Sequence, residues 1–337
     1  MIRATAGATT HVGQVRDGNE DNYVVIEGLY FVADGMGGHS AGEVASEIAV
    51  RILEEVYTDP KVRVSSPGLL ADAISTANTA IYMEAMHDSS KSGMGTTLTG
   101  LAVTNAVDNQ IVVANVGDSR TYLWRHGELR QVTKDHSHVQ TLVDRGAITR
   151  AEARVHFQRN IVLRAMGIES WVDIDTYPMS VEDGDRFILC SDGLVDEADD
   201  DEIEAEIRLS TSVQDLADRL VALANRNGGR DNITVVVVDF EVAPSESSSE
   251  AKSSAPVAES VAVTDVEEPV TEEIPVTGPA VAIIDETPAL SSSGLSSSGL
   301  ASSGVSSLWF GFGTYTMWAV SAAITLTVII SALTTSP

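Results

Sequence analysis

Over the first two thirds of this 337-residue chain, apolar residues fall in short runs rich in Val, Ile and Thr. Residues 23–26, 29–33, 96–103, 110–116, 121–124, 187–190 and 233–240 have the length and β-branched content of strands, and turn residues bound them. Two other stretches repeat at helical spacing. In 41–57 the apolar residues Val44, Ala45, Ile48, Ile52 and Val56 form one stripe, and Leu70, Ile74, Ala77, Ile81 and Ala85 form another. Thr149 with Glu152 three residues on has the form of a capping box and predicts a short helix there. Two strands come early and close together, and two helices follow with no strand between them. A strictly alternating β-α-β chain does not read this way. The order predicts an α+β fold of mainly antiparallel sheets covered by helices.

After residue 240 the pattern changes. Residues 241–307 carry eleven acids against one lysine and six of the ten prolines, then a degenerate Ser/Gly repeat over 291–307. Such a stretch buries too little apolar surface to offset chain entropy and is expected to be a disordered linker. Residues 308–332 contain no Asp, Glu, Lys, Arg or His, and 25 such residues exceed the roughly 20 that span a bilayer. Trp309, Tyr315 and Trp318 sit toward one end, where an aromatic belt would lie. A polar tether leading to this segment disfavours a buried soluble helix. The expected layout is therefore a globular domain over 1–240, a linker over 241–307, a transmembrane helix over 308–332 and a tail over 333–337. No Lys or Arg flanks the span to orient it. A short uncharged tail and the lack of an apolar leader at the start place the globular part in the cytoplasm, tethered to the cell membrane by a single pass.

Charge narrows the function classes. The formal net charge is −28 and the pI about 4.4, so the surface repels phosphate backbones and nucleic-acid binding is excluded as the default. The single cysteine, Cys190, allows no disulfide within the chain. It lies in an apolar run and reads as a small buried hydrophobe.

The candidate chemistry is carboxylate chemistry. Asp21, Asp34, Asp192 and Asp231 occupy four separate turns, and most adjoin a strand-like run. Strand ends can hold distant acids close together. Clustered acids repel and need a cation, and an all-oxygen donor set favours a hard divalent ion such as Mg²⁺ or Mn²⁺. Arg16, four residues before the pair Glu20-Asp21, offers a planar fork for phosphate oxygens. Residues 31–43 run from a strand through Asp34, Gly35, Gly37, Gly38 and His39 into a helix, but the glycine spacing matches neither common nucleotide-binding loop. Asp118 stands in a further turn, Gly117-Asp118-Ser119-Arg120. His136 and His138, two residues apart without a zinc-like partner set, read as polar residues at a loop entrance.

Taken together and in order, these motifs resemble the metal-dependent PP2C (PPM-type) serine/threonine protein phosphatases, in particular their compact bacterial branch. The resemblance covers roughly residues 5–240. It rests on Arg16 with Glu20-Asp21-Asn22, Asp34-Gly35-Met36-Gly37-Gly38-His39, Gly93-Met94-Gly95-Thr96-Thr97, Gly117-Asp118-Ser119-Arg120, Ser191-Asp192-Gly193-Leu194 and Asp231-Asn232. It implies a four-layer α-β-β-α sandwich. Asp34 would bridge two metal ions, Mn²⁺ or Mg²⁺, and the Gly35 carbonyl would bind one of them. Asp192 and Asp231 would bind the other. Glu20 and Asp21 would hold metal-bound waters, and Asp118 with Asp192 a third, weaker ion. Arg16 would bind the substrate phosphate, and His39 resembles a histidine implicated near the site. Residues 139–166 would form a mobile flap.

Two ions sharing a water lower its pKa and supply a nucleophile, so no Cys or Ser nucleophile is needed. Cys190 also lacks the Cys-x5-Arg loop of cysteine phosphatases. The expected partners are phosphoserine and phosphothreonine proteins, a membrane Ser/Thr kinase among them. The alternative is a non-catalytic pseudophosphatase that binds phosphoproteins, a reading that intact acids at every metal position disfavour.

Overall fold

The computed structural model describes residues 1–37, 41–59 and 64–243. Beyond residue 243 the expected linker, the apolar segment 308–332 and its tail lie outside the described residues, as does His39; the linker's first two positions, 241 and 242, belong to the last strand instead. Among the described residues no helix is long and apolar enough to cross a membrane.

In chain order the elements are β1 (Ile2–His11), β2 (Asp21–Ile26), β3 (Leu29–Met36), α1 (Ala41–Thr58), α2 (Pro67–His87), β4 (Gly95–Thr96), β5 (Leu98–Asn105), β6 (Gln110–Val116), β7 (Arg120–Arg125), β8 (Glu128–Gln131), α3 (His138–Asp144), α4 (Arg150–Arg154), β9 (Asp175–Ser180), β10 (Arg186–Cys190), α5 (Asp192–Val195), α6 (Asp200–Leu209), α7 (Val213–Asn227) and β11 (Ile233–Val242). One sheet has the order β1-β11-β10-β7-β8. The other has the order β2-β3-β5-β6-β9, with β4 pairing β3. Every pairing is antiparallel, as the element order predicts.

Three apolar cores define four layers. Val32, Leu101, Val113, Phe187, Leu189, Val236 and Phe240 fill the space between the sheets. The outer face of the β3 sheet packs on α1 and α2 through Phe31, Ala45, Leu53, Leu70 and Ile74. The outer face of the β11 sheet packs on α5, α6 and α7 through Val235, Val237, Leu216 and Leu220. Strands buried on both faces explain why 233–240 is almost wholly apolar. Phe187 and Phe240 meet edge to face at 5.7 Å in the central core. Each buried side chain of this size contributes about 1.5–3 kcal/mol by leaving water.

Several details depart from the sequence pattern for local reasons. The deepest face of α1 is Ala41, Gly42, Ala45, Ala49 and Leu53, while Val44, Ile48, Ile52 and Val56 are half-buried at its margins. Small residues let the helix axis approach the sheet. β1 was not anticipated, because its inward residues Ile2, Ala4, Ala6 and Ala8 alternate with Arg and Thr and carry little apolar contrast. Gly7 on its other face lies so close to α7 that a Cβ would meet the Gln214 nitrogen at 2.6 Å. The strand expected over 96–103 breaks at Thr97, whose N–H donates to the Asp34 carbonyl (2.9 Å) instead of continuing a ladder. The capping box at Thr149 and Glu152 forms as predicted.

Candidate metal centre

The acids come from the ends of strands in both sheets. Asp21 opens β2 and lies directly opposite Asp34 on β3. Asp192 opens α5 just after β10, and Asp231 precedes β11. Asp118 sits between β6 and β7. The antiparallel topology thus brings five acids, distant in sequence, to one edge of the sandwich.

Their charges act on one another. Burial, then the charges of Asp21, Asp192, Asp118 and Asp231, push the Asp34 carboxyl well above its ordinary pKa. Burial, then Asp118, Asp196, Asp231 and Asp21, do the same to Asp192. Asp21 is pushed up to about 6, chiefly by burial, although the hydrogen bond from Ser191 acts in the opposite direction. Asp118 is pushed up to about 7, by burial first and Asp135 next. Glu20 is raised by burial, partly opposed by Arg16.

The backbone around these acids leaves no room for side chains. A Cβ on Gly35 would meet the Gly42 carbonyl oxygen at 2.2 Å and the Glu20 carbonyl oxygen at 2.5 Å. The Gly35 N–H donates to the Glu20 carbonyl (3.2 Å). A Cβ on Gly193 would meet the Asn232 carbonyl oxygen at 1.9 Å, so the Asp192 and Asp231 segments touch at bare backbone. The glycines after Asp34 and Asp192 permit this approach from within β3 and α5, not from the turns that the sequence suggests there, because strand and helix run on through both acids.

Two side chains that the sequence reading did not single out hold the acids in place. The Ser191 hydroxyl donates to Asp21 Oδ2 (2.7 Å) and accepts from the Thr234 N–H (3.0 Å). Asn232 accepts from the Glu20 N–H (2.8 Å) and donates to the carbonyls of Val12 and Gly18 (2.9 Å each). It rivets the Arg16 loop to the start of β11. Both residues adjoin motif acids, and that adjacency was the only available signal. Arg16 itself is exposed and donates to Asp231 Oδ2 at 2.6 Å. That bond holds its guanidinium pKa above the usual arginine value.

The donors fit hard divalent cations. They are all oxygen, they are crowded and mutually repelling, and the buried Asp21 Oδ1 has no hydrogen-bond partner. Among the described residues, no group of three or more Asp, Glu, His or Cys side chains converges closely enough to hold a metal ion by itself. A site that shares its acids between two ions and completes each shell with water and main-chain oxygen is open in this way.

A cleft of about 510 Å³ runs alongside, walled by Asp118 and Asp192 on one side and by Val139, Arg154 and Arg159 on the other. Arg159 pairs with Asp196, and Arg154 donates to the Ala198 carbonyl (3.0 Å). These contacts seat the segment carrying α3 and α4 over α5 and α6. Cys190 lies outside this chemistry. It is fully buried, and burial pushes its thiol up to about 12.

A family model for protein phosphatase 2C matches residues 18–233. The serine/threonine phosphatase stp of Listeria welshimeri is 40% identical over 238 residues, 68% of this chain and 93% of that protein. The serine/threonine protein phosphatase PstP of Mycobacterium tuberculosis is 43% identical over 233 residues, 67% of this chain and 43% of that protein. A crystal structure of the PstP catalytic domain in complex with two manganese ions superposes with a TM-score of 0.65 at 38% identity, covering 72% of this chain and all of that one. On these likenesses the chain belongs to the protein phosphatase 2C family.

Proposed function

We propose that this chain is a metal-dependent phosphatase that removes phosphate from phosphoserine and phosphothreonine in proteins, working at the membrane surface. The observation that carries the activity is the gathering of Asp21, Asp34, Asp118, Asp192 and Asp231 at one sandwich edge with Arg16 beside them. Two Mn²⁺ or Mg²⁺ ions bound there supply an activated water and neutralise charge on the phosphoryl oxygens. Asp34 and the Gly35 carbonyl hold one ion, with Asp34 shared by the other, which Asp192 and Asp231 complete. Glu20 and Asp21 orient coordinated waters, and Asp118 with Asp192 takes a third ion. The PstP catalytic domain, similar over the same residues, has been solved with two manganese ions.

Arg16 positions the substrate phosphate. Its fork grips two phosphoryl oxygens, and its pairing with Asp231 aims it at the acids before substrate arrives. The segment over 139–166 lines the cleft and carries exposed Val155 and Phe157, an apolar surface suited to a protein substrate. His39 belongs near this site by its motif. The uncharged apolar stretch 308–332 beyond a polar segment supports a tethered enzyme. A 67-residue linker has a root-mean-square reach of ~40–50 Å, which concentrates the domain around membrane-proximal phosphoproteins such as a membrane Ser/Thr kinase.

One experiment tests both halves. The full-length chain is expressed in bacteria, the membranes are washed with carbonate, and p-nitrophenyl phosphate hydrolysis is measured with Mn²⁺, with EDTA, and for Asp192→Ala. Activity is expected in the washed pellet and abolished by EDTA or the substitution. Activity in the supernatant overturns the tether, and EDTA-resistant activity overturns the metal chemistry.

A further inference from the structure

His136 lies outside the acid cluster, and its side chain is 9% exposed. Its contacts converge on the residue before Asp118. The Gly117 N–H donates to His136 Nδ1 (3.0 Å), and the His136 N–H donates to the Gly117 carbonyl (2.9 Å). The histidine thus meets both backbone groups of Gly117, sharing the carbonyl with Asn115 Nδ2 (3.1 Å) and holding the N–H through its ring. Gly117 has φ +107° and packs on Thr97, where a Cβ would meet the Thr97 Cβ at 2.6 Å, so no side chain on Gly117 itself can brace this turn. The same histidine also joins the two necks of the flap. Its carbonyl accepts from the Leu163 N–H (2.7 Å), next to the bridge between Ser137 and Val162.

The ring tautomer follows from the donors around it. A neutral imidazole has one N–H, and the backbone N–H of Gly117 can only donate, so Nδ1 is the acceptor and Nε2 carries the proton. That proton points to Asp175 Oδ2 (3.2 Å) on β9. Arg164 Nη1, 3.0 Å from Nε2, has acceptors for its two hydrogens in Asp175 Oδ1 (2.7 Å) and the Asp173 carbonyl (3.4 Å). Burial keeps the ring pKa below the ordinary histidine value, which favours the neutral form. Asp175 therefore supports the tautomer in which an unprotonated Nδ1 faces Gly117.

We propose that His136 is a positioning residue: its Nδ1 holds the Gly117 N–H and so fixes the Asp118 turn against both necks of the flap, presenting Asp118 to the cation. The link to ion binding rests on the reading of Asp118 given above, whereas the hold on Gly117 does not. Two loss variants separate this role from folding. In His136→Gln the side-chain carbonyl reaches the place of Nε2, and His136→Leu has no acceptor. In His136→Asn the carbonyl occupies the place of Nδ1.

Amide exchange of Gly117 in the EDTA-treated full-length chain reads the hold directly. The loss variants are expected to exchange roughly fivefold faster there, within what one net hydrogen bond supplies, and His136→Asn to match wild type. The Mn²⁺ concentration for half-maximal p-nitrophenyl phosphate hydrolysis should rise by a similar factor, with KM at saturating Mn²⁺ little changed. Wild-type exchange at Gly117 in a folded loss variant overturns the proposal. So does His136→Asn exchanging as fast as His136→Gln. Asp118→Ala is the control. If it leaves the Mn²⁺ dependence untouched, the reading of Asp118 fails while the exchange result still decides the role of His136.

Discussion

Gly193→Ala alters no acid and no charge, yet it should disable the centre. The added Cβ would stand 1.9 Å from the Asn232 carbonyl oxygen, about 1.5 Å short of the 3.4 Å at which ordinary contact begins. Both sides are fixed. Gly193 is buried in α5 one residue after Asp192. Asn232 follows Asp231 and is pinned through its side chain to Val12, Gly18 and Glu20. Relief therefore requires the Asp192 and Asp231 segments to separate by on the order of 1 Å, which is the scale at which misplacement costs about 10²-fold in rate. Overpacking against backbone should cost about 2–3 kcal/mol, lowering Tm by ~5–10 °C for a domain of this size. The assay is a Mn²⁺ titration of p-nitrophenyl phosphate hydrolysis below the new Tm, with circular dichroism to show the fold. A folded Gly193→Ala protein with kcat and Mn²⁺ half-saturation within about threefold of wild type would refute the argument that this contact sets the spacing of the acids.

Two further outcomes follow from the same geometry. Arg16→Ala removes an exposed ion pair, so Tm should shift by less than the equivalent of about 1 kcal/mol. Its kcat/KM for phosphomonoesters should fall about 10–100-fold, the worth of charge-assisted hydrogen bonds to phosphate; equal losses in Tm and activity would contradict this. In metal-free protein the acids are destabilising once ionised. Asp21 binds its proton up to about pH 6 when folded, against an ordinary value of 3.8, so folding favours the protonated form. Stability should therefore be highest near pH 4 and decline as pH rises through 4–6, by on the order of 3 kcal/mol for this group. Asp118 extends the decline to about pH 7. Thermal melts in EDTA at pH 5 and pH 8 should show the higher Tm at pH 5, and saturating Mn²⁺ should shrink or reverse the gap. A Tm in EDTA that rises with pH would contradict the burial of these acids.

Much of this molecule is legible in the sequence. Strands buried on both faces, such as β11 with its four consecutive valines, announce themselves by composition, and the helical stripes of α1 and α2 by spacing. The acids could be listed because each sits beside a glycine, a second acid or an asparagine at the end of an apolar run. β1 was invisible because Ala and Thr alternate with too little contrast. It is recognisable only once β11 supplies its partner and α7 its cover.

The sequence by itself determined the residue types, the apolar runs they adjoin and the need for a counter-ion. Tertiary structure alone decided that Asp21 faces Asp34 across two strands, that Asp192 and Asp231 meet over bare backbone, and that Ser191, Asn232 and His136 hold the acid-bearing loops. Periodicity and turn chemistry are local properties written residue by residue. The spacing of acids as distant as Asp21 and Asp231 is set by sheet register and by which side chains are absent at points of contact, and those exist only in the folded chain.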